Sequence, residues 1–331
     1  MSLFQKVAAA ATLSLIVLIF VGAIVRASGS GLGCPDWPTC WGCLVPPTSV
    51  DDIDFEKLDL EKFQRRNAEV TIESLRAEFN PVHVWVEYLN RLTSMPVGML
   101  TLAVFVMSFR FRKSRPSVFY ASGLALFLVL FNAWLGMKVV KSGLTPGVIT
   151  LHMAAAILML CVLVYVVFSG GDGGGRFVLL KPGRRKVVRG LLIALFVLTV
   201  AEGILGSQVR EKTDALAHGH ANQPRSEWVA ELEESWVYLV HRSFSWLLVA
   251  LAAVFFFKAR EAAVGSAGIS PAIILGVMLG QMVLGVLLAY AGVPPAVQVL
   301  HVGLSSILVA TLFYYLLATR IPRGDADLAS A

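Results

Sequence analysis

With 331 residues, 56% of them apolar and only 15% charged, and a mean hydropathy of +0.72, this chain is too apolar for a soluble domain of its length. It belongs in a bilayer. The formal charge of +6 sits mostly in short loops that would face an anionic leaflet, so the partner it implies is the lipid surface and not nucleic acid.

Runs of about 20 apolar residues, long enough to cross the hydrocarbon, recur along the chain. They lie near Val7–Val25, Leu92–Phe109, Val118–Met137, Val148–Phe168, Gly190–Ser207, Trp236–Phe257, Ile269–Tyr290 and Ala296–Ala318. Each is expected to be an α-helix, because a lone segment in lipid can satisfy its backbone in no other way. The first run follows Lys6 as a signal peptide would. It is longer than a typical signal core, however, and Arg26-Ala27-Ser28-Gly29 is a poor cleavage site, so a retained helix is expected.

Basic residues mark the cytoplasmic side of short loops. Lys6, Arg110 to Arg115, Lys181 to Lys186, Lys258 with Arg260, and Arg320 with Arg323 fall on alternate sides of successive spans. Both termini are therefore expected in the cytoplasm. The two long connections, 26–91 and 208–235, are then external. The first also carries 51–78, charged and with Phe55, Leu58, Leu60 and Phe63 at helical spacing, which predicts one or two amphipathic surface helices.

The chain repeats itself. Asn132, Leu135, Gly136, Pro146 and His152 are matched by Gln281, Leu284, Gly285, Pro295 and His301 at a constant offset of 149 residues. Gly22 to Arg26 aligns with Gly206 to Arg210, and Asn90-Arg91 with His241-Arg242. Such registers predict an all-α membrane protein of eight transmembrane helices in two pseudo-symmetric four-helix bundles. The expected division is an N-terminal half, 1–169, a glycine-rich cytoplasmic linker, 170–189, and a C-terminal half, 190–331.

The repeats place His241, His301 and His152 at one membrane depth. A single histidine in an apolar helix is most simply a packing residue, but repetition favours function. Two imidazoles facing each other across a bundle are an established way to hold haem iron. Zinc would want further cysteine or carboxylate ligands at matching spacing, which His241 and His301 lack. His218 and His220 sit in a polar loop with Asp214 and read as solvated. His83 precedes the second span and is a weaker ligand candidate.

The segment Gly22-x-x-Val25-Arg26-Ala27-Ser28-Gly29-Ser30-Gly31-Leu32-Gly33-Cys34-Pro35-Asp36-Trp37-Pro38-Thr39-Cys40 resembles the stretch after the first helix in the haem A synthase family. Glu87-Tyr88-Leu89-Asn90-Arg91 is similar to that family's Glu-Tyr-x-His-Arg element, and His152, His241-Arg242 and His301 match its other histidine positions. The resemblance implies oxidation of a methyl group of haem O to the formyl group of haem A, for cytochrome c oxidase biogenesis. It implies haem B on His241 and His301, haem O and haem A as substrate and product in the N-terminal half, and Glu87 close to the reaction. Haem O synthase and cytochrome oxidase assembly proteins are the partners it brings to mind. The alternatives are a di-haem membrane electron-transfer protein, a haem-binding assembly factor without synthase activity, and a transporter.

One position departs from the pattern. Asn90 stands where the motif and the repeat partner His241 would place a histidine, and an amide is a poor ligand for haem iron. His152 is then the one ligand of the N-terminal half, with an open or water-filled position opposite. Glu87, Asn90 and Arg91 share one helix face. They read either as a surface ion pair, or with Glu87 handling protons and Arg91 meeting a propionate, as Arg242 would in the other half. Cys34, Cys40 and Cys43 fall in the first external loop, where an oxidising compartment permits disulfides. Cys34–Cys40 is the first candidate bridge and Cys34–Cys43 the second, while Cys161 reads as a small core residue.

Overall fold

The computed structural model describes residues 1–55, 58, 71–145, 147–171, 177–220, 223–265, 268, 270–291 and 294–320. Ten α-helices lie within them: α1 (Leu3–Ala27), α2 (Ile72–Glu78), α3 (Pro81–Ser108), α4 (Pro116–Lys141), α5 (Val148–Ser169), α6 (Pro182–Gly219), α7 (Arg225–Glu233), α8 (Trp236–Ala262), α9 (Ser270–Tyr290) and α10 (Pro295–Ala318). All but α2 and α7 are long and apolar enough to cross a membrane. These eight are the eight spans expected from the sequence.

Prolines set several of the helix starts. Pro81, Pro116, Pro182 and Pro295 each open a helix, where a missing N–H costs nothing and the fixed φ already suits the turn. Ahead of Pro81, the Asn80 Oδ1 accepts from the amides of Val82 (3.0 Å) and His83 (3.3 Å). Two helices run well past their apolar stretches. α3 begins at Pro81, so Glu87, Asn90 and Arg91 lie on its first three turns. α6 has 38 residues, roughly 57 Å at 1.5 Å per residue, and carries helix deep into what the sequence predicts as the second long loop. Within the described part of 51–78, Phe55 and Leu58 are not helical and α2 is the one α-helix. Leu60 and Phe63, like Pro146, most of the glycine-rich run and Arg323, lie outside the described residues.

The chain divides into two compact units, Val7–Leu160 and Met1–Lys6 with Cys161–Ala331. In the second unit α6 packs on α8, α8 on α9, α9 on α10 and α10 back on α6, a closed ring of four helices. Its dry core comprises Val188, Leu192, Leu195, Leu248, Ala252, Phe255, Ile274, Met278, Leu308, Leu312 and Tyr315. These lie from the middle of each helix to its basic-loop end, with Leu248 near the midpoint of α8. There the ring is also tied by hydrogen bonds. Arg185 donates to the Thr319 carbonyl (2.9 Å), Arg189 donates to the Leu316 carbonyl (3.3 Å), and the 178–181 segment bonds the ends of α8 and α10. Cationic side chains on exposed helix C-terminal carbonyls are favourable in charge as well as in bonding.

Beyond Leu248, Met278 and Leu308 this continuous core stops, and the opposite end of the ring carries His241 and His301. The first unit spreads its burial along the helices, since Val84 and Glu87 on α3 and Leu135 and Val140 on α4 are buried toward the ends near Asn90 and His152. Its buried residues include Val97, Thr101 and Val104 on α3, Val118, Ser122, Ala125 and Leu128 on α4, and Ala155, Met159 and Leu160 on α5. Asn90 and His152 lie toward the other ends of α3 and α5.

Candidate functional site

Four side chains at the histidine ends have the same kind of seat. A methyl group placed on Gly206 would lie 3.2 Å from the His241 ring carbon Cε1, one on Gly285 3.8 Å from the same atom of His301, and one on Gly136 3.5 Å from that of His152. A methyl on Gly22 would lie 3.9 Å from the Asn90 Oδ1. In each pair the glycine belongs to the preceding membrane helix. The repeat thus reappears as a contact: a polar side chain stands over a glycine, with no Cβ to push it aside.

In the C-terminal unit His241 stands on α8 and His301 on α10 of the four-helix ring. The Nδ1 of His301 is buried and makes no hydrogen bond. Gln281 Nε2 donates to the His301 carbonyl (2.8 Å), joining α9 to α10. At the end of the ring, Arg210 donates to Gln298 Oε1 (2.6 Å) and pairs with Asp214 (3.0 Å). A carboxylate missing from the sequence-level candidates completes the group: Glu202 Oε1 stands 3.1 Å from His241 Nδ1. Its signal was a lone acid inside an apolar span, which by default marks function. Two imidazoles over glycines, in a ring whose packed core ends below them, suit a planar iron porphyrin held from both faces.

The N-terminal unit offers less for iron. The His152 ring lies against the Asn132 backbone, within hydrogen-bonding reach of it, and position 90 supplies no second imidazole. Both side-chain polar atoms of Asn132, one turn before Gly136, are buried without partners. One imidazole and one amide would hold iron less completely than the two imidazoles of the C-terminal unit.

The cysteine loop is built on α3. Cys34 and Cys40 form a disulfide, leaving Cys43 and Cys161 as free thiols, so the first candidate bridge is the one present. Cys40 and Cys43 exchange both backbone hydrogen bonds, 2.8 and 3.1 Å, around Trp41 (φ 55°) and Gly42 (φ 76°), a tight turn of the mirror-image type. The Asp36 carboxylate accepts from the amides of Trp41 (2.6 Å) and Gly42 (3.0 Å) and from the Thr39 hydroxyl. Gly33 runs so close to α3 that a methyl group there would meet the His83 carbonyl oxygen at 2.2 Å. Only glycine fits.

Glu87 and Arg91 hold this loop. Glu87 is 3% exposed; its Oε2 accepts from the Cys34 amide (2.8 Å) and its Oε1 from Arg91 (2.6 Å). Arg91 further donates to the carbonyls of Cys34 (2.9 Å), Asp36 (3.0 Å) and Thr39 (2.9 Å). The pair is therefore an interior clamp and not a surface ion pair. In the C-terminal unit His220 is likewise engaged, pairing with Glu231 (3.1 Å) and stacking on Trp228; it fastens α7 to the end of α6. Asp214, read as its loop neighbour, faces Arg210 instead.

Sequence comparison decides the family. A profile of the cytochrome oxidase assembly proteins matches residues 5–313. The chain belongs to that family. Among its relatives are proteins named heme A synthase from Wolbachia pipientis wMel, 25% identical over 91% of this chain and 88% of the relative, and from Nitrosospira multiformis, 26% identical over 86% and 84%. A third, from Flavobacterium psychrophilum, is 23% identical over 91% of this chain and 93% of its own length. With eight apolar helices of spanning length, this family member is an integral membrane protein.

Removing Arg91 leaves a buried carboxylate and three carbonyls without their donor. Arg91→Ala is expected to destabilise the protein by roughly 3–5 kcal/mol, the usual cost of breaking a buried ion pair from one side, with Arg91→Lys intermediate because it lacks the planar fork. Thermal unfolding in detergent checks the order, and equal melting of all three proteins would contradict the clamp. Unreduced peptide mapping should find Cys34 joined to Cys40 and Cys43 alkylated.

Proposed function

We propose that this chain oxidises the haem O methyl group to the formyl group of haem A for cytochrome c oxidase biogenesis. The N-terminal half, 1–169, takes the substrate haem, and the C-terminal half, 190–331, holds haem B, the two being pseudo-symmetric four-helix bundles joined by the 170–189 linker. The observation that carries this reading is the repeated seat of a polar side chain over a glycine, occupied by histidine at 152, 241 and 301. Family membership and relatives named heme A synthase support it. The disulfide loop clamped by Glu87 and Arg91 favours oxidation over simple electron transfer, since a di-haem carrier has no need of it.

Haem iron supplies one-electron and oxygen chemistry that protein side chains lack. The residues supply the rest. His241 and His301 would hold haem B with one imidazole each, while in the N-terminal half His152 would offer the substrate haem an imidazole and Asn90 an amide, a poor ligand for iron. Glu87 holds its carboxylate in a fixed orientation beside the loop, where it would handle a proton of the reaction. Arg91 holds the loop in place, and Arg242 is left to meet a propionate.

The alternation of basic loops supports a bacterial-type plasma-membrane location with both termini cytoplasmic and the haem sites near the outer face. Cysteines introduced into 208–235 should react with an impermeant maleimide on intact cells. Labelling only after lysis would reverse the orientation.

Extraction and chromatography of the purified protein should yield haem B, with haem O or haem A. His241→Ala or His301→Ala should remove the low-spin spectrum of a bis-imidazole haem, whereas His220→Ala should not. A preparation that neither carries nor takes up haem would sink the assignment.

Asn90→His tests the N-terminal half. The substrate haem should move from high-spin or water-ligated toward low-spin and six-coordinate, and Glu87→Gln should keep haem binding but cut conversion at least tenfold. An unchanged spectrum together with full activity would mean that the reaction lies elsewhere.

A further inference from the structure

Glu202 lies within the apolar stretch of α6, four residues and about one turn before the glycine under His241. Its carboxylate is 12% exposed. Oε1 accepts a hydrogen bond from the Ser245 hydroxyl on α8 (2.6 Å) and stands 3.1 Å from His241 Nδ1, hydrogen-bonding distance, although Nδ1 makes no hydrogen bond in this ring orientation. Oε2 is buried and takes no hydrogen bond. A carboxylate so placed is expensive in a membrane, and joining two helices does not require it. The Ser245 hydroxyl already lies 2.9 Å from the His241 carbonyl within its own helix, so it does not need Glu202 as a partner.

What a carboxylate at Nδ1 does for an imidazole is specific. It selects the tautomer with hydrogen on Nδ1, leaves the Nε2 lone pair free to bind a metal, and makes the ring a stronger electron donor. We propose that Glu202 is the positioning residue for His241: a small ring rotation completes the Nδ1–H to Oε1 bond, which lowers the reduction potential of the haem that His241 and His301 hold. This rests on the haem reading above. Ser245 fixes the carboxylate in turn, so the chain of contacts is Ser245 to Glu202 to His241.

The repeat sharpens the inference. At the offset that pairs Gly22 with Gly206, the counterpart of Glu202 is Leu18. Position 90 thus lacks both the imidazole and the acid, and the device belongs to the C-terminal half alone. A cofactor set apart in potential from the substrate haem is what such an asymmetry produces.

The test is a potentiometric titration of the full-length, haem-bearing protein in detergent, followed by its visible spectrum. Glu202→Gln, nearly isosteric with a weaker acceptor, should keep haem B and its low-spin spectrum while the midpoint potential shifts upward. Glu202→Leu should shift it further, and Glu202→Asp, a carboxylate on a shorter arm, should fall between wild type and Gln. Retained haem with an unmoved potential in all three overturns the proposal and leaves the haem reading standing. Loss of haem from every variant, or partial loss with no shift in the haem that remains, marks Glu202 as structural and also overturns it. Wild-type protein that neither carries nor takes up haem overturns the underlying reading and the proposal together.

Discussion

Positions 90, 152, 241 and 301 each stand over a glycine of the preceding membrane helix, and this close approach organises the rest of the molecule. The approach is closest at Gly206, where an added Cβ would lie 3.2 Å from the His241 ring and force it to shift, while at Gly22, Gly136 and Gly285 a Cβ would be in ordinary contact. Glycine within a helix interior weakens it by roughly 0.5–1 kcal/mol relative to alanine. The stability lost there is offset at the other end of the same helices, where Leu192, Phe255, Leu312 and Tyr315 close a dry core. One end of the bundle holds the fold, and the other is free to be built for chemistry.

The second constraint is that polar groups at membrane depth need partners. Arg91 meets it by gathering three carbonyls and a carboxylate onto one guanidinium, whose planar fork allows several bonds in fixed directions. The disulfide, the Asp36 turn and Gly33 then have a common anchor on α3, and Glu87 is held in a defined orientation. Among the described residues, His241 Nδ1, His301 Nδ1, Asn90 Oδ1, both side-chain polar atoms of Asn132 and Glu202 Oε2 are buried without hydrogen bonds at the seats, a condition that Trp85 Nε1 and Thr199 Oγ1 share elsewhere on α3 and α6. Each such group calls for an explanation, function being one.

The two halves share a plan and differ in chemistry. Histidine fills both seats of the C-terminal half, with Glu202 behind one of them; in the N-terminal half histidine fills one seat, asparagine the other, and Leu18 stands where the acid would be. A repeat can keep its glycine seats while the side chains over them diverge, so related positions need not share one chemistry.

Apolar run length by itself determined the eight spans, because hydrocarbon thickness dictates about 20 residues and lipid enforces helix. The offset of 149 residues determined which histidines correspond, since periodicity survives in the chain however it folds. Helix extent past the membrane was not legible there: the polar stretches 81–91 and 208–219 look like loop by composition, and their helicity follows from caps and neighbours. Only the tertiary structure decided what Arg91 and Glu202 touch. Arg91 reaches a carbonyl 57 residues away and Ser245 a carboxylate 43 residues away, and such meetings depend on how helices pack and side chains turn, which no local pattern encodes.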